Sequence, residues 1–207
     1  GEARFDARGA HDPEPGDAAT AARILGGLTL FLVLFLAYFF RDPDRNPPGR
    51  DDIVVSGADG VVSLITELEH PLLPGKLVRI STFLSVFDVH VNRSPVAGTV
   101  RHLAYVPGRK VFAFLDEASE VNEHSTILVE NRHFTCLVKQ IVGPVARRVF
   151  YWLEVGQNVA QGDRIGMMKF GSRMDVYLPA GRFDILVKKG DRVVAGETVM
   201  ARLKGAS

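Results

Sequence analysis

The sequence has 207 residues, a single cysteine at position 136, and almost no excess of either charge. One cysteine cannot close an internal disulfide or build a cysteine-based zinc site, which excludes a disulfide-stapled secreted domain and a zinc finger. Lysine and arginine total 25 against 24 for aspartate and glutamate. A nucleic-acid-binding protein normally carries a basic excess, so we expect no nucleic-acid partner. We also predict no metal site.

The only long apolar run covers residues 24–40 and contains no charged residue. As a helix it would be about 26 Å long, near the lower limit for crossing a bilayer. The acidic stretch before it, and the absence of a small-residue cleavage site after it, argue against a secretory signal. We therefore predict a membrane-anchoring helix at 24–40, with a helix buried in a protein core as the alternative.

The segments on either side of this run differ in charge and composition. Arg41, Arg45 and Arg50 follow it closely, whereas only Arg23 is equally near on the other side. This bias predicts that the following domain lies on the cytoplasmic face of the cell membrane. Residues 1–23 are rich in Ala, Gly, Asp and Pro without apolar periodicity, which predicts a mobile tail.

Residues 41–207 are expected to form one β domain with few short helices. Short β-branched runs separated by Gly, Pro and Asp predict strands; they include 53–55, 61–65, 77–80, 99–105, 111–115, 126–130, 134–142 and 147–153. Residues 144–150 are a candidate short helix. The frame G-x-x-V-x-x-G-x-x-[IV] occurs at 156–165 and again at 190–199. This repeat resembles the barrel-sandwich fold of biotinyl and lipoyl carrier domains.

Three side chains could form a nucleophile, a base and an orienting acid. Ser172 follows Gly171 between two strand-like runs, His90 lies in an apolar run, and Asp59 lies between small residues. Serine, histidine and a carboxylate are the parts of a catalytic triad. The alternatives are a simple Gly-Ser turn, a core histidine and a carboxylate that caps a turn.

These residues lie in three of five motifs through which the sequence resembles the phosphatidylserine decarboxylase family, in its short proteobacterial and archaeal form. The motifs are YFFRDPDR at 38–45, ADG at 58–60, FLSVFDVHVNRSP at 83–95, QIVG at 140–143 with ARR at 146–148, and FGSR at 170–173. Each motif alone is weak, but their order along nearly all of residues 38–200 is specific. The family commonly has a membrane-associated N-terminus, in agreement with the apolar run.

The resemblance implies a self-processing carboxy-lyase. Ser172 would attack the Gly171 carbonyl, and the resulting ester would be eliminated to give chains 1–171 and 172–207, which stay associated. Ser172 would become a covalent pyruvoyl cofactor. Asp59 and His90 would supply the base, with the carboxylate fixing the imidazole tautomer.

The mature reaction implied by the resemblance takes place on membrane phosphatidylserine. The pyruvoyl group would form a Schiff base with the serine amine, carbon dioxide would leave, and His90 would protonate the carbanion to give phosphatidylethanolamine. The oligomeric state is left open, a homo-oligomer included.

The sequence departs from the longer family members, which have D-x-H-x-x-H and L-G-S-T motifs. Arg93 stands at the second histidine position, and the cleavage motif is FGSR. Arg93 and Arg173 are expected to hold the lipid phosphate or the substrate carboxylate, because guanidinium matches both in bidentate geometry. Exposed surface arginines are the alternative.

Two other functions remain as alternatives. A biotin or lipoate carrier would use Lys169, but the spacing from the glycine frame is too short for its hairpin, and residues 51–150 would be unexplained. A membrane-fusion adaptor combines one N-terminal span with a split lipoyl-like domain. It would need a long helical hairpin with heptads, which the sequence lacks.

Overall fold

The structure is a computed structural model that describes residues 15–109, 111–113, 118–143, 149–169 and 171–205. The chain divides into two compact units, residues 1–38 and residues 39–207. The first contains most of helix α1 (Pro15–Phe39), and the second contains the β domain with a short helix α2 (Ala118–Val121).

Helix α1 contains an apolar stretch, Ala18–Phe39, of 22 residues with a mean hydropathy of 2.0. It is long and apolar enough to cross a membrane. The helix begins at Pro15, nine residues before the predicted start at residue 24, and residues 1–14 of the predicted mobile tail lie outside the described residues. Four alanines at 18, 19, 21 and 22 favour helix, and proline suits the first helical position.

In its described residues the β domain contains fourteen strands. They are β1 (Ile53–Val55), β2 (Gly60–His70), β3 (Leu73–Leu84), β4 (Val91–Arg93), β5 (Gly98–Val106), β6 (His124–Glu130), β7 (Thr135–Ile141), β8 (Phe150–Tyr151), β9 (Asn158–Val159), β10 (Arg164–Met167), β11 (Ser172–Pro179), β12 (Phe183–Ile185), β13 (Arg192–Val193) and β14 (Val199–Leu203). The prediction of a mainly β domain after an apolar helix is confirmed.

One curled sheet of eight strands dominates the domain, in the order β13-β2-β3-β11-β7-β6-β5-β9. Two three-stranded sheets, β1-β14-β12 and β4-β10-β8, complete it. Along β11 the side chains alternate between two environments. Met174, Val176 and Leu178 belong to the main apolar core, whereas Arg173 and Asp175 lie on the opposite face. Ser172 is therefore on the core side of the sheet.

The glycine repeat forms two equivalent sets of backbone hydrogen bonds. Gly156 N–H donates to Val100 O at 2.7 Å, and Gly190 N–H donates to Val62 O at 2.8 Å. Both glycines have positive φ, 92° and 96°, which an L side chain rarely adopts. Each repeat thus binds the start of one long strand of the eight-stranded sheet.

Two predicted elements differ from the structure. The strand predicted at 111–115 is wrong for 111–113, because the backbone N–H and C=O of Val111 bond to the side-chain amide of Asn122 instead of a neighbouring strand. Residues 114 and 115 lie outside the described residues. So do 144–148 of the candidate short helix, while Phe150 lies in β8.

The strand ends bring the sequence motifs together. In the antiparallel order β2-β3-β11-β7-β6, strand β2 begins at Gly60, β3 ends at Leu84, β11 begins at Ser172, β7 ends at Ile141 and β6 begins at His124. Neighbouring antiparallel strands begin and end at the same edge, so these five residues mark one end of the sheet, here called the Ser172 end. Four of the five motifs meet or border this end.

Candidate active site

Ser172 is the first residue of β11 and is fully buried. It pairs with Leu84 of β3, and Arg173 pairs with Ile141 of β7, so strands on both sides fix its position. Within the described part of the chain its Oγ has no hydrogen-bond partner. A buried hydroxyl without a partner is costly, which makes it a candidate for a reacting group.

The segment that contains the Gly171–Ser172 bond is held at both ends by the segment that contains His90. Met168 N–H donates to His90 O at 3.2 Å, and Ser172 pairs with Leu84. Residues 168 to 172 can span at most about 14 Å. The segments 84–90 and 168–172 are therefore joined at both ends, which places His90 and Ser172 near each other at the Ser172 end. Phe170 lies outside the described residues.

His90 is fully buried, and its Nδ1 lies 2.9 Å from the backbone carbonyl oxygen of Asp88. A carbonyl only accepts, so Nδ1 carries the proton and Nε2 carries the lone pair. Nε2 is buried and has no hydrogen-bond partner among the described residues. The Phe39 ring packs against the imidazole with a centroid distance of 4.2 Å.

The environment of His90 favours its neutral form. Burial is the main cause that lowers its pKa, and Arg41 acts in the same direction. The hydrogen bond to the Asp88 carbonyl and the charges of Asp88 and Asp59 oppose that shift. A neutral imidazole with a free lone pair on Nε2 is the form needed for a general base.

Asp59 lies on the other side of β3 from Ser172. The next residue, Gly60, packs so closely against β3 that a Cβ there would lie 2.1 Å from the carbonyl oxygen of Phe83. The carboxylate accepts from Arg45 Nη2 at 2.8 and 3.1 Å and from the Ala195 N–H at 2.8 Å. The expectation that Asp59 fixes the His90 tautomer differs from the structure, because the Asp88 carbonyl holds Nδ1.

The carbonyl of Gly171 points towards Gly143, the last residue of the QIVG motif. A Cβ at Gly143 would lie 2.4 Å from this carbonyl oxygen, so only glycine leaves room for it. Gly171 itself has φ of 64°, with open space where its own side chain would be. Two glycines from different motifs thus line the Gly171–Ser172 peptide.

Arg93 has a different position from the one predicted. Its guanidinium donates to Asp42 Oδ1 at 2.9 Å, to Pro43 O at 2.9 Å and to Gly162 O at 3.0 Å, and the residue is buried. The side chain joins the RDPDR segment to the turn of the first glycine repeat. An arginine committed to these three partners is a structural anchor, and its expected role as a substrate ligand is not supported by this geometry.

Arg173 is also buried, on the sheet face opposite to Ser172. Its Nε lies 3.0 Å from Asp175 Oδ1. Ser119 joins the same cluster, since its hydroxyl donates to Asp175 and accepts from Arg79 at 3.0 Å. Lys139 donates to the Ser119 carbonyl at 2.8 Å, and burial lowers its pKa. Neither arginine is thus an exposed surface residue, and alternation along β11 separates Arg173 from the Ser172 hydroxyl.

Three residues next to the candidate site were missed by sequence reasoning. Phe39 stacks on His90, Arg45 binds Asp59, and the backbone of Asp88 holds the imidazole. All three lie inside the quoted motifs YFFRDPDR and FDVH. Their presence in an ordered motif was the available signal, but a motif does not state which backbone carbonyl or ring meets which side chain.

The described residues offer few other reactive groups. Cys136 is buried in the core, and burial raises the pKa of its thiol to about 12, so it is not a nucleophile at neutral pH. Within the described ranges, no group of three or more His, Cys, Asp or Glu side chains is placed to hold a metal ion.

Comparisons with known proteins agree with the five motifs. The family model for phosphatidylserine decarboxylase matches residues 32–201. Three curated relatives are each named phosphatidylserine decarboxylase proenzyme. That of Symbiobacterium thermophilum is 48% identical, over 86% of this chain and 84% of the relative. That of Erythrobacter litoralis is 49% identical, over 84% and 75% respectively, and that of Carboxydothermus hydrogenoformans is 44% identical, over 87% and 85%.

The buried position of Arg93 predicts a large effect on stability. Arg93→Met should lower the free energy of unfolding by about 3 kcal/mol, because Asp42 and the carbonyl groups of Pro43 and Gly162 lose their donor. Urea unfolding in mild detergent, followed by near-ultraviolet circular dichroism, would measure it. Arg101→Met is the matched control, because its partner Glu130 is half exposed and such a pair contributes about 0.5 kcal/mol. Equal losses in both variants would contradict an anchoring role for Arg93.

Proposed function

This chain belongs to the phosphatidylserine decarboxylase family, and we propose that it is a membrane-associated proenzyme that cleaves itself between Gly171 and Ser172 and then converts phosphatidylserine into phosphatidylethanolamine and carbon dioxide. The observation that carries the proposal is a pair of buried atoms at the Ser172 end. The Oγ of Ser172 and the Nε2 of His90 both lack a partner among the described residues, and one can donate the proton that the other can accept.

The first step is an N→O acyl shift. Ser172 Oγ attacks the Gly171 carbonyl carbon while His90 Nε2 takes the hydroxyl proton. The peptide C–N bond then breaks, the proton passes to the released amine of Ser172, and an ester joins Gly171 to the serine oxygen. Proton transfer to His90 creates an imidazolium, which the negative charge of Asp59 stabilises at a distance. In this proposal Asp59 has an electrostatic role and the Asp88 carbonyl has the orienting role.

The second step is elimination. Removal of the α-proton of residue 172 breaks its Cβ–O bond and releases the carboxylate of Gly171. The enamine that remains at residue 172 tautomerises to an imine, and water replaces its nitrogen, which leaves as ammonia. The product is a pyruvoyl group at the new N-terminus. Serine fits both steps, because its oxygen attacks first and later leaves with the upstream chain.

The strand pairing explains how the two chains would stay together after cleavage. Residue 172 is the first residue of β11, so breaking the bond before it removes no pairing within that strand. The 172–207 chain would keep β11 between β3 and β7, and β14 between β1 and β12. Its apolar residues Met174, Val176 and Leu178 would remain in the shared core.

In the mature protein, the pyruvoyl carbonyl would supply the electron sink that decarboxylation requires. The residues around it fit the group: the Ser172 side chain is fully buried, apolar Met174 and Leu84 are its neighbours in the strands, and His90 lies in the adjoining segment. His90 is the residue proposed to hold a proton for transfer to the product. Helix α1 is proposed to anchor the protein, with the β domain on the cytoplasmic face.

The carrier and adaptor alternatives are not favoured by any contact of the described residues. A carrier lysine must be presented on an exposed hairpin turn, whereas the Nζ of Lys169 lies over the rings of Phe40 and Phe150. The family match over 32–201 also accounts for the strands between residues 51 and 150, which the carrier alternative left unexplained.

Replacement of the nucleophile should abolish both activities. Wild-type protein should give two chains in a denaturing intact-mass spectrum, the shorter starting with a pyruvoyl group at position 172. Ser172→Ala should give a single chain and release no carbon dioxide from phosphatidylserine, because alanine has no oxygen to attack or leave. Ser63→Ala, which removes a hydroxyl bonded to the Ser81 carbonyl on β3, is the matched control and should be cleaved normally. Cleavage of the Ser172→Ala chain would disprove the mechanism.

The low pKa of His90 predicts how processing depends on pH. An imidazole with its ordinary pKa is half protonated near pH 6.5 and would lose half its base form there. Because burial lowers the pKa of His90, the neutral form persists to lower pH. Precursor made by cell-free translation and chased at pH 5 to 8 should therefore keep more than half of its full rate at pH 6.5, with the midpoint of its acid limb below that pH.

The same chase separates the roles of the two neighbouring groups. His90→Asn should not process at any pH, whereas Asp59→Asn should process slowly with its acid limb shifted further down, because a charge that raises the His90 pKa is lost. His102→Asn is the control histidine and should behave like the wild type. An acid limb centred at or above pH 6.5 in the wild type would contradict His90 as the base.

The contact between Gly143 and the Gly171 carbonyl predicts a steric block. In Gly143→Ala the added Cβ would displace the carbonyl that Ser172 attacks, and a shift of about 1 Å can slow such a reaction about a hundred-fold. The precursor should accumulate on gels while circular dichroism stays unchanged. Gly27→Ala in helix α1, where the added Cβ also meets nothing and φ is not positive, should process normally. Normal processing of Gly143→Ala would place the attack on another face of the peptide.

A further inference from the structure

An exposed aromatic surface surrounds Lys169. The side chains of Phe40, Phe150 and Trp152 are 43%, 41% and 51% exposed, which is unusual for rings of this size. The Nζ of Lys169 lies 5.8 Å from the centroid of the Phe40 ring and 4.9 Å from that of Phe150. These four residues, called the Lys169 surface below, combine a cation with three apolar rings.

The strand geometry keeps these rings outside. Phe150 pairs with Met167, and Trp152 N–H donates to Ile165 O, so both are held along β10. Tyr151, between them, packs against the main core. Alternation therefore directs Phe150 and Trp152 away from the core. Folding of the described residues leaves both rings available for a partner outside the domain.

Chain connectivity indicates which partner covers the surface. Phe40 directly follows Phe39, the last residue of the apolar stretch Ala18–Phe39. If that helix enters a bilayer, the residue after its end lies at the level of the lipid headgroups. Lys169 contacts the Phe40 ring, and Phe150 contacts Lys169. Both residues must then lie near the same headgroup level as Phe40. Aromatic rings and lysine are the side chains that occupy this interface most readily.

The basic residues near the rings also favour a lipid bilayer as the partner. Arg41 donates to the Phe87 carbonyl at 2.7 Å beside Phe40, and the Phe87 ring is 65% exposed. The cation in contact with the Phe40 ring, Lys169, and the residue after Phe40, Arg41, are both positive. A cationic surface with apolar rings favours anionic lipid headgroups over zwitterionic ones, by about five-fold for each basic residue.

We propose that the Lys169 surface, formed by Phe40, Phe150, Trp152 and Lys169, docks into the headgroup region of an anionic bilayer as a second membrane contact beyond helix α1. Because Met168 N–H bonds to the His90 carbonyl, the docked surface lies directly beside the candidate active site. The docking is argued from exposure, charge and chain connectivity and holds whether or not the proposed decarboxylation is correct.

Trp152 provides a direct probe, because it is the only tryptophan in the chain. The full-length protein would be reconstituted in phosphatidylcholine vesicles that contain a minor fraction of phosphatidylglycerol, with bromine atoms on the lipid chains close to the headgroup. Docking predicts that Trp152 fluorescence is quenched by the brominated lipid and protected from aqueous acrylamide. Quenching by acrylamide alone would overturn the proposal. Protection from both quenchers would also overturn it, since a protein partner would then cover the ring.

Two variants separate docking from anchoring by the helix. Lys169→Gln should lower the ratio of docked to undocked protein about five-fold in the anionic vesicles and much less in pure phosphatidylcholine. Lys188→Gln, an exposed lysine outside this surface, is the matched control and should leave quenching unchanged. Equal quenching in Lys169→Gln and wild type in both vesicles would remove Lys169 from the contact. An intact-mass spectrum of the same samples tests self-cleavage separately, so failure of the proposed function and failure of docking are distinguishable.

Discussion

The antiparallel register that pairs Ser172 with Leu84 is the constraint on which the candidate site depends. Side chains in a strand alternate with a period of two, so a slip of one residue would exchange the two faces of β11. Ser172 would then enter the polar cluster of Asp175 and Lys139, and Arg173 would enter the apolar core. Both exchanges are costly, because an apolar residue would replace a paired charge on one side and a charge would be desolvated on the other. One face of β11 requires polar side chains and the other requires apolar ones, and this difference fixes the register that positions Ser172.

Two turns of the β domain, which begin at Ser56 and Ser94, have the same local structure, but only the first contains a candidate functional residue. The Ser56 hydroxyl donates to Ala58 O and the Ser94 hydroxyl donates to Val96 O, both at 2.7 Å, so the two turns have the same internal bond. Each is followed by a glycine packed against a carbonyl of the next long strand, at position 60 or 98. Counting from the serines, Asp59 corresponds to Ala97, which has no chemistry to offer. The repeat thus explains the fold, and a departure from the repeat marks the candidate functional residue.

The sequence predicted the fold class and which motifs matter, but it did not predict how the polar groups pair. Glycine spacing and β-branched runs report local backbone geometry, which is why the strands and the repeat were accessible. Arginine is a poor guide to function, since a guanidinium suits a lipid phosphate and a buried carboxylate equally well. Arg93 and Arg173 each found a carboxylate partner, Asp42 and Asp175. The carbonyl that orients His90 was equally inaccessible, because every residue has one.

The segment 39–45 contacts both the proposed base and the nearby carboxylate Asp59. Phe39 packs on His90, Asp42 binds Arg93, and Arg45 binds Asp59. Six residues span at most about 21 Å, so the chain between Phe39 and Arg45 restricts how far one end can move without the other. A displacement at the helix end would therefore strain contacts with the proposed base and with the carboxylate that tunes its charge. Burial by Phe39 also contributes to the desolvation that lowers the pKa of His90. The proposed base and the carboxylate that tunes its charge are consequently coupled through one short stretch of chain.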